Sequence, residues 1–157
     1  MKKLLMISSV LAIVAGIIMV LGGVWGIVFT YGNVARENIT TPDDSSVPGV
    51  PVRGPLTLKA QADIIRTHTL KSTGNKTYSE MPSKIPKIDQ NGTPILDENG
   101  TAVMVLNDAR NIWVTATALV TALNLGIITY VFSGLILLFG LISIWTGIIF
   151  HALSNKY

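Results

Sequence analysis

Two long runs without charged side chains occupy the two ends of the chain, and they constrain its fold more than any other feature. Residues 4–31 contain no ionisable side chain except Tyr31, and residues 111–155 contain no Asp, Glu, Lys or Arg. As α-helices these runs would measure about 42 and 68 Å, whereas the hydrocarbon core of a bilayer is about 30 Å thick. The sequence therefore predicts a mainly α membrane protein in which each run supplies one transmembrane helix.

The composition excludes several other classes of protein. Charged residues make up 13% of the chain and hydrophobic ones 49%, whereas a soluble domain carries about 25% charge. A disordered chain would be polar and highly charged, and a disulfide scaffold would need paired cysteines; this chain has no cysteine. The net charge of +3 comes from Lys2, Lys3 and Lys156, because the centre holds nine basic and nine acidic residues. We therefore expect no nucleic-acid partner.

The lysines at the chain ends also predict the topology. Basic residues flanking a span favour the cytoplasm, so both termini are expected there, with the loop between the spans extracytoplasmic. The first run could instead be a cleaved signal peptide, which also begins with basic residues. We favour an uncleaved signal anchor in the plasma membrane, because the run is longer than an ordinary signal core and no clear cleavage site follows it.

The predicted fold is a two-helix transmembrane hairpin with an extracytoplasmic loop module, which contains a short helix, a small β-meander and an amphipathic helix. Gly126 divides the second uncharged run, which is too long for one span. Whether the amphipathic helix lies flat on the membrane or continues into the second span stays open. The boundaries are 1–3 for the cytoplasmic N-terminus, 4–31 for transmembrane helix 1, 32–107 for the loop module, 108–126 for the amphipathic helix, 127–153 for transmembrane helix 2 and 154–157 for the cytoplasmic tail.

Three parts of the loop differ in composition. Residues 38–55 contain four prolines and predict an extended linker, while residues 58–72 predict a helix that stops before Gly74. Residues 84–106 predict the meander, because Asn-Gly turn signals recur at a spacing of eight. The loop has few large apolar residues, so we expect it to pack against the membrane, a second copy or a partner.

Small residues recur at helical spacing in both spans and predict a helix-packing interface. Such residues allow helix backbones to approach closely within lipid. They either pack the two spans into a hairpin or meet another subunit, and the sequence does not decide between these interpretations. The predicted interface comprises Ser9, Ala12, Gly16, Gly22, Gly23, Gly26, Ser133, Gly140, Ser143 and Gly147.

Aromatic residues near the ends of the spans are interpreted as membrane-interface anchors, since Trp and Tyr concentrate at headgroup level. We expect Trp25, Tyr31, Trp113 and Tyr130 at the outer interface and Trp145 nearer the inner one.

Catalytic chemistry finds little support in the sequence. The only histidines, His68 and His151, are expected on opposite sides of the membrane, and no common catalytic or phosphate-binding motif occurs. We therefore predict no catalytic residues, no metal site and no cofactor. Four N-glycosylation sequons occur, at Asn38, Asn75, Asn91 and Asn99, and turn chemistry explains most of them without a glycan.

Two segments carry a resemblance to a known family. They are QADIIRTHTLKSTGNKTY at residues 61–78 and ARNIWVTATALVTALN at residues 109–124. With the flanking spans they resemble an uncharacterised family of actinobacterial two-span membrane proteins, some of which are labelled aromatic ring-opening dioxygenases. That label conflicts with the residues here, because such iron enzymes need two histidines and a carboxylate around one metal. The resemblance implies a membrane location and supplies no catalytic residues.

These observations predict a non-enzymatic membrane protein that is a structural or accessory subunit. It would associate, through its glycine-rich spans and outer loop, with copies of itself as a homo-oligomer or with a larger envelope or respiratory complex. The alternative is a membrane-anchored sensor or ligand-binding protein, which would need a concave pocket lined by residues such as Tyr78, Trp113 and Arg66. An enzyme ranks third.

Overall fold

A computed structural model of the chain describes residues 1–156 and is mainly helical. Two of its helices, Lys2–Arg36 and Asp108–Ser154, are long and apolar enough to cross a membrane, which confirms the predicted class at that level. The elements are α1 (Lys2–Arg36), α2 (Pro55–Ser72), a short 3₁₀ helix (Tyr78–Glu80), β1 (Lys84–Pro86), β2 (Met104–Leu106) and α3 (Asp108–Ser154).

Helices α1 and α3 pack as an antiparallel pair through small residues. Gly16 of α1 lies against Gly140 of α3, and Ser9 lies against Gly147 further along both helices. A Cβ atom added to Gly140 would lie 2.8 Å from the backbone nitrogen of Val20 and 2.9 Å from the carbonyl oxygen of Gly16. The two backbones are therefore too close at this level to admit even a methyl group.

Two serine hydroxyls join the same pair of helices. Ser9 donates a hydrogen bond of 2.8 Å to the carbonyl oxygen of Gly147, and Ser143 donates one of 2.8 Å to the carbonyl oxygen of Ala12. Hydrogen bonds between helices in lipid contribute about 0.6 kcal/mol each on average. The contact between α1 and α3 thus combines close backbone packing with specific polar bonds.

Large apolar side chains cover the outside of this helix pair, while its buried positions are Gly, Ala, Ser or Thr. For example, Leu11 is 65% exposed, Leu21 65% and Phe132 63%. A water-soluble helix pair would bury such side chains between its helices. The inverted distribution is compatible with a two-pass membrane hairpin.

Helix α3 is continuous from Asp108 to Ser154 and measures about 70 Å. Gly126 does not interrupt it, so residues 108–126 are the first part of this helix and not a separate one. We call residues 108–126 the module half of α3 and residues 127–154 its hairpin half. The hairpin half packs against α1, and the module half packs against α2, which runs antiparallel to it with Leu58 beside Gly126.

The proline-rich segment after α1 is a closed loop and not the extended linker that its composition predicts. The Val52 amide donates a 2.8 Å hydrogen bond to the carbonyl oxygen of Ile39, and the Thr41 amide donates one of 3.0 Å to that of Val50. Thr41 and Val52 are both buried. Backbone pairing across the loop therefore overrides the extended preference of its prolines.

The predicted meander is present as two turns beside a two-stranded sheet. Strand β1 pairs antiparallel with β2, and single bridges join Ile88 to Pro94 and Leu96 to Ala102. Gly92 and Gly100 have φ values of 81° and 77°, which only glycine adopts without strain. Residues 84–106, which we call the β tip, thus contain two short hairpins.

The contact between α1 and α3 predicts opposite effects for two Gly→Ala substitutions. Gly140→Ala should lower the free energy of unfolding by about 1–3 kcal/mol, because its methyl group would overlap backbone atoms of α1. Gly22→Ala is the matched control, since nothing lies within 4 Å of the added atom and alanine favours helix. Denaturant unfolding in lipid nanodiscs measures both, and equal destabilisation by the two variants would contradict this packing.

Candidate functional site

The predicted small-residue interface lies between α1 and α3 of the same chain, with one exception. Gly22 faces open space and does not contribute to this contact, because it lies about 100° around α1 from the buried Gly23. The other positions face the partner helix or lie at the edge of the contact. Buried there are Ser9, Gly16, Gly23, Ser133, Gly140 and Gly147, and partly buried are Ala12, Gly26 and Ser143. This surface is therefore occupied within the chain.

Two predicted anchors form a clamp where the hairpin meets the loop. The Tyr130 hydroxyl donates a 2.6 Å hydrogen bond to the carbonyl oxygen of Arg53, and the Arg53 guanidinium donates one of 3.0 Å to the Tyr31 hydroxyl. Arg53 directly precedes the N-cap of α2, Gly54. The clamp thus fixes the start of α2 to both long helices.

Trp113 does not lie level with Tyr130, although both were expected at the outer interface. It precedes Tyr130 by 17 residues in one continuous helix, which corresponds to about 26 Å. The Arg66 guanidinium of α2 lies over its ring at 5.8 Å. Trp113 therefore belongs to the contact between α2 and α3, whereas Trp25 and Trp145 are exposed on the long helices.

An open groove of about 670 Å³ runs along the module half of α3. We call it the α3 groove. Small side chains on one face of α3 form its floor, and larger side chains lie at both ends. Its lining residues are Tyr78, Trp113, Val114, Thr117, Ala118, Thr121, Ala122 and Leu125. Tyr78 and Trp113 thus line one concavity, as the ligand-binding alternative expected. Arg66 lines a smaller adjoining hollow of about 60 Å³ that shares Trp113 with the groove.

Two arginines flank one end of the α3 groove. The Arg66 guanidinium lies 5.8 Å from the ring centroid of Trp113, and that of Arg110 lies 3.9 Å from the ring centroid of Tyr78. Neither arginine forms an ion pair with any residue in 1–156. No carboxylate lines the groove or the adjoining hollows. This end of the groove is consequently positive.

The other flank of α2 forms a separate hollow of about 480 Å³, which includes His68 and Asn111. His68 Nε2 lies 2.7 Å from Asp44 Oδ2, so this histidine ties the proline-rich loop to α2. The hydrogen bond with His68 lowers the pKa of the Asp44 carboxyl below its ordinary range. His151 lies 40 residues beyond Asn111 along α3, about 60 Å away, so the two histidines do not meet. Within residues 1–156, no three His, Asp or Glu side chains are grouped to hold a metal.

The β tip contains the same turn twice. Asp89 Oδ1 accepts hydrogen bonds from the amides of Asn91 and Thr93 at 2.8 and 2.9 Å. Asp97 Oδ1 accepts the equivalent pair, at 2.9 and 2.8 Å, from the residues two and four positions later. The sequence signal for this arrangement is Asp-x-Asn-Gly-Thr, repeated at 89–93 and 97–101. The Asn-Gly pairs predict the two turns, but they do not predict the hydrogen bonds that each aspartate accepts.

Apolar side chains on the β tip are uncovered by the rest of the described chain. No residue in 84–106 is buried, and Leu106 reaches 69% exposure. The exposed apolar residues are Ile85, Ile88, Ile95, Leu96, Val103, Met104, Val105 and Leu106. A concentration of exposed apolar side chains in one segment is typical of interaction sites in folded proteins.

All four sequon asparagines are exposed. Asn38 and Asn75 have positive φ values of 50° and 60°, which asparagine tolerates at turns. Asn91 and Asn99 lie in the two turns of the β tip. Turn geometry therefore accounts for all four positions, and their glycosylation stays untested.

The pair of His68 and Asp44 predicts a pH-dependent loop attachment. A lowered carboxyl pKa means that the stabilisation is complete above the ordinary range of Asp44 and is lost as the pH falls through the lowered value. His68→Ala should raise the Asp44 pKa toward its ordinary range, measured by carboxyl-carbon NMR titration, while His151→Ala should leave it unchanged. An unaltered titration in His68→Ala would exclude the pair.

The comparisons with known proteins do not extend these observations. No protein-family model, no curated protein and no solved structure matches this chain. The resemblance to actinobacterial two-span proteins therefore stays a prediction.

Proposed function

We propose that this protein is a non-enzymatic, two-pass plasma-membrane protein that acts as an accessory subunit and binds through its β tip. The partner is either a second copy of the chain or a larger envelope complex. The observation that carries this proposal is the apolar surface of the β tip, which nothing in residues 1–156 covers. Leaving such a surface in water is unfavourable by about 25 cal/mol per Å², so a partner that covers it gains that free energy.

The membrane placement is supported by the dimensions of the helix pair. The hairpin half of α3 holds 28 residues and measures about 42 Å, which exceeds the hydrocarbon thickness of about 30 Å. Tyr31 and Tyr130 join through Arg53 at one end of the pair, a place typical of interfacial aromatics. Lys2, Lys3 and Lys156 lie at the other end, which is therefore the cytoplasmic end in this proposal.

The small-residue contact does not carry the association. Its residues already pack α1 against α3 within one chain, so they are not free to meet another subunit. We therefore assign association to the β tip, in which no residue is buried.

The proposed topology is directly testable because the chain contains no cysteine. Gln90→Cys, at a turn of the β tip, should react with a membrane-impermeant maleimide on intact cells. Lys156→Cys should react only after the membrane is permeabilised. The reverse labelling pattern would place the loop in the cytoplasm and contradict the proposal.

The proposed association predicts a complex that depends on the β tip. Native mass spectrometry from nanodiscs should give a mass above that of one chain, matching either a whole number of copies or a defined partner. Ile88→Asp with Leu96→Asp should reduce it to one chain by adding charge to the apolar surface. Gln90→Asp, which adds a charge beside that surface, should leave the complex intact. A monomeric mass for the unaltered protein would refute association.

Ligand binding is the second candidate function, and the α3 groove specifically favours it. Its lining combines two aromatic side chains, those of Tyr78 and Trp113, with small apolar and hydroxyl side chains, a composition typical of small-molecule sites. No residue of the β tip lines the groove, although Leu106 shares an adjoining hollow with Tyr78 and Val114. One protein could therefore use both surfaces.

A further inference from the structure

The floor of the α3 groove is suited to a long, narrow apolar chain. Thr117, Ala118, Thr121 and Ala122 present small side chains along one face of the helix. No charged residue lines the groove. From Trp113 to Leu125 it extends over 12 residues of helix, or about 18 Å, slightly more than the hydrocarbon thickness of one leaflet, which is half of about 30 Å.

One end of the groove is continuous with the apolar outside of the helix pair. Leu125 ends the groove and is 57% exposed, and exposed apolar residues follow on the hairpin half of α3, such as Ile128 and Phe132. The clamp of Tyr31, Arg53 and Tyr130 lies at this level. If the hairpin spans the membrane as proposed, this end of the groove opens at the surface of the outer leaflet.

The opposite end of the groove is positive. Arg66 and Arg110 lie over the two aromatic rings that line this end, and neither has a carboxylate partner among residues 1–156. Guanidinium groups bind phosphate oxygens through charge-assisted hydrogen bonds, which are stronger than hydrogen bonds between neutral groups. An apolar trough that ends at two unpaired arginines is complementary to a molecule with an anionic head and an apolar tail.

We infer that the α3 groove binds a phosphate-headed lipid with one long apolar chain, drawn from the outer leaflet. The phosphate lies between Arg66 and Arg110, and the chain follows the floor formed by Ala118 and Ala122 toward the membrane. A second copy docked groove to groove fits less well, because each copy would present these arginines and no carboxylate to pair with them. Free phosphate would use only the positive end.

This inference deepens the ligand-binding candidate and rests on the proposed membrane placement, but it does not depend on the β tip. The test uses the full chain in phosphatidylcholine nanodiscs, with Trp25→Phe and Trp145→Phe leaving Trp113 as the only tryptophan. The probe is lysophosphatidate with a dibrominated acyl chain, because bromine quenches tryptophan fluorescence at contact range. Trp113 is about 18 Å along α3 from the proposed membrane surface, so probe that remains in the bilayer should not quench it.

The expected result is saturable quenching of Trp113. Arg66→Gln with Arg110→Gln should weaken apparent binding by at least about tenfold, as the loss of charge-assisted bonds predicts. Ala118→Leu with Ala122→Leu should abolish quenching, because the larger side chains would occupy the groove. If that double variant does not fold, Thr121→Leu replaces it as the variant that occupies the groove. Thr115→Leu is the matched control, since Thr115 lines the hollow on the other flank of α2, and it should not alter binding.

Three results would overturn the inference. They are the absence of saturable quenching, equal quenching in the filled-groove variants, and equal binding of dibrominated lysophosphatidylcholine, which lacks net negative charge. Displacement of the probe by millimolar inorganic phosphate alone would assign the site to free anions and also overturn it. Failure of the lipid to bind leaves the native mass of the complex and the cysteine labelling unchanged, so it is distinguishable from failure of the proposed function.

Discussion

The close approach of α1 and α3 is the contact on which the rest of the structure depends. Gly16 and Gly140 bring the two backbones together, and Ser9 donates across the same contact to Gly147. In lipid, large apolar side chains gain little from facing another helix, so the gain comes from dispersion contacts and hydrogen bonds between closely packed backbones. Small residues at these positions therefore hold the hairpin together while its large residues face outward.

The loop module depends on that hairpin through a single continuous helix. The hairpin half of α3 packs against α1, and its module half packs against α2. Because both halves belong to one helix, an ordered hairpin fixes the position of the loop module. The clamp around Arg53 joins the start of α2 to both long helices at the junction. The module buries few large side chains and would be poorly stabilised without this support. The same arrangement keeps the α3 groove and the β tip uncovered.

The sequence predicts the features that depend on composition and periodicity. The uncharged runs identify α1 and α3, and the Asn-Gly pairs identify the turns that contain Gly92 and Gly100. Helical spacing places most of the small residues on one face, but spacing alone does not reveal whether that face meets the same chain or another. Gly22 illustrates the point, since it lies next to Gly23 in sequence, yet no atom of α3 lies within 4 Å of a Cβ atom added there.

The remaining differences arise from long-range contacts that local patterns do not encode. Backbone pairing between Ile39 and Val52 closes a segment whose prolines predict extension. Trp113 resembles an interfacial anchor in sequence, but the continuity of α3 carries it into contact with Arg66 of α2. The α3 groove likewise depends on the proximity of Tyr78 and Trp113, which are 35 residues apart in the chain. From the sequence, their proximity was expected only if the protein binds a ligand.

Nitroxide scanning along α3 in nanodiscs tests the central claim most directly, namely that one continuous helix joins a membrane hairpin to the loop module. Oxygen accessibility measured from residue 108 to residue 154 should vary with helical periodicity throughout, without an irregular stretch at Gly126. It should be lowest at Ala116, which faces α2, and at Ser133, Gly140 and Gly147, which face α1. The mean oxygen accessibility should rise beyond residue 127, where lipid surrounds the helix. A loss of helical periodicity around Gly126, or high water accessibility throughout residues 127–153, would contradict the account.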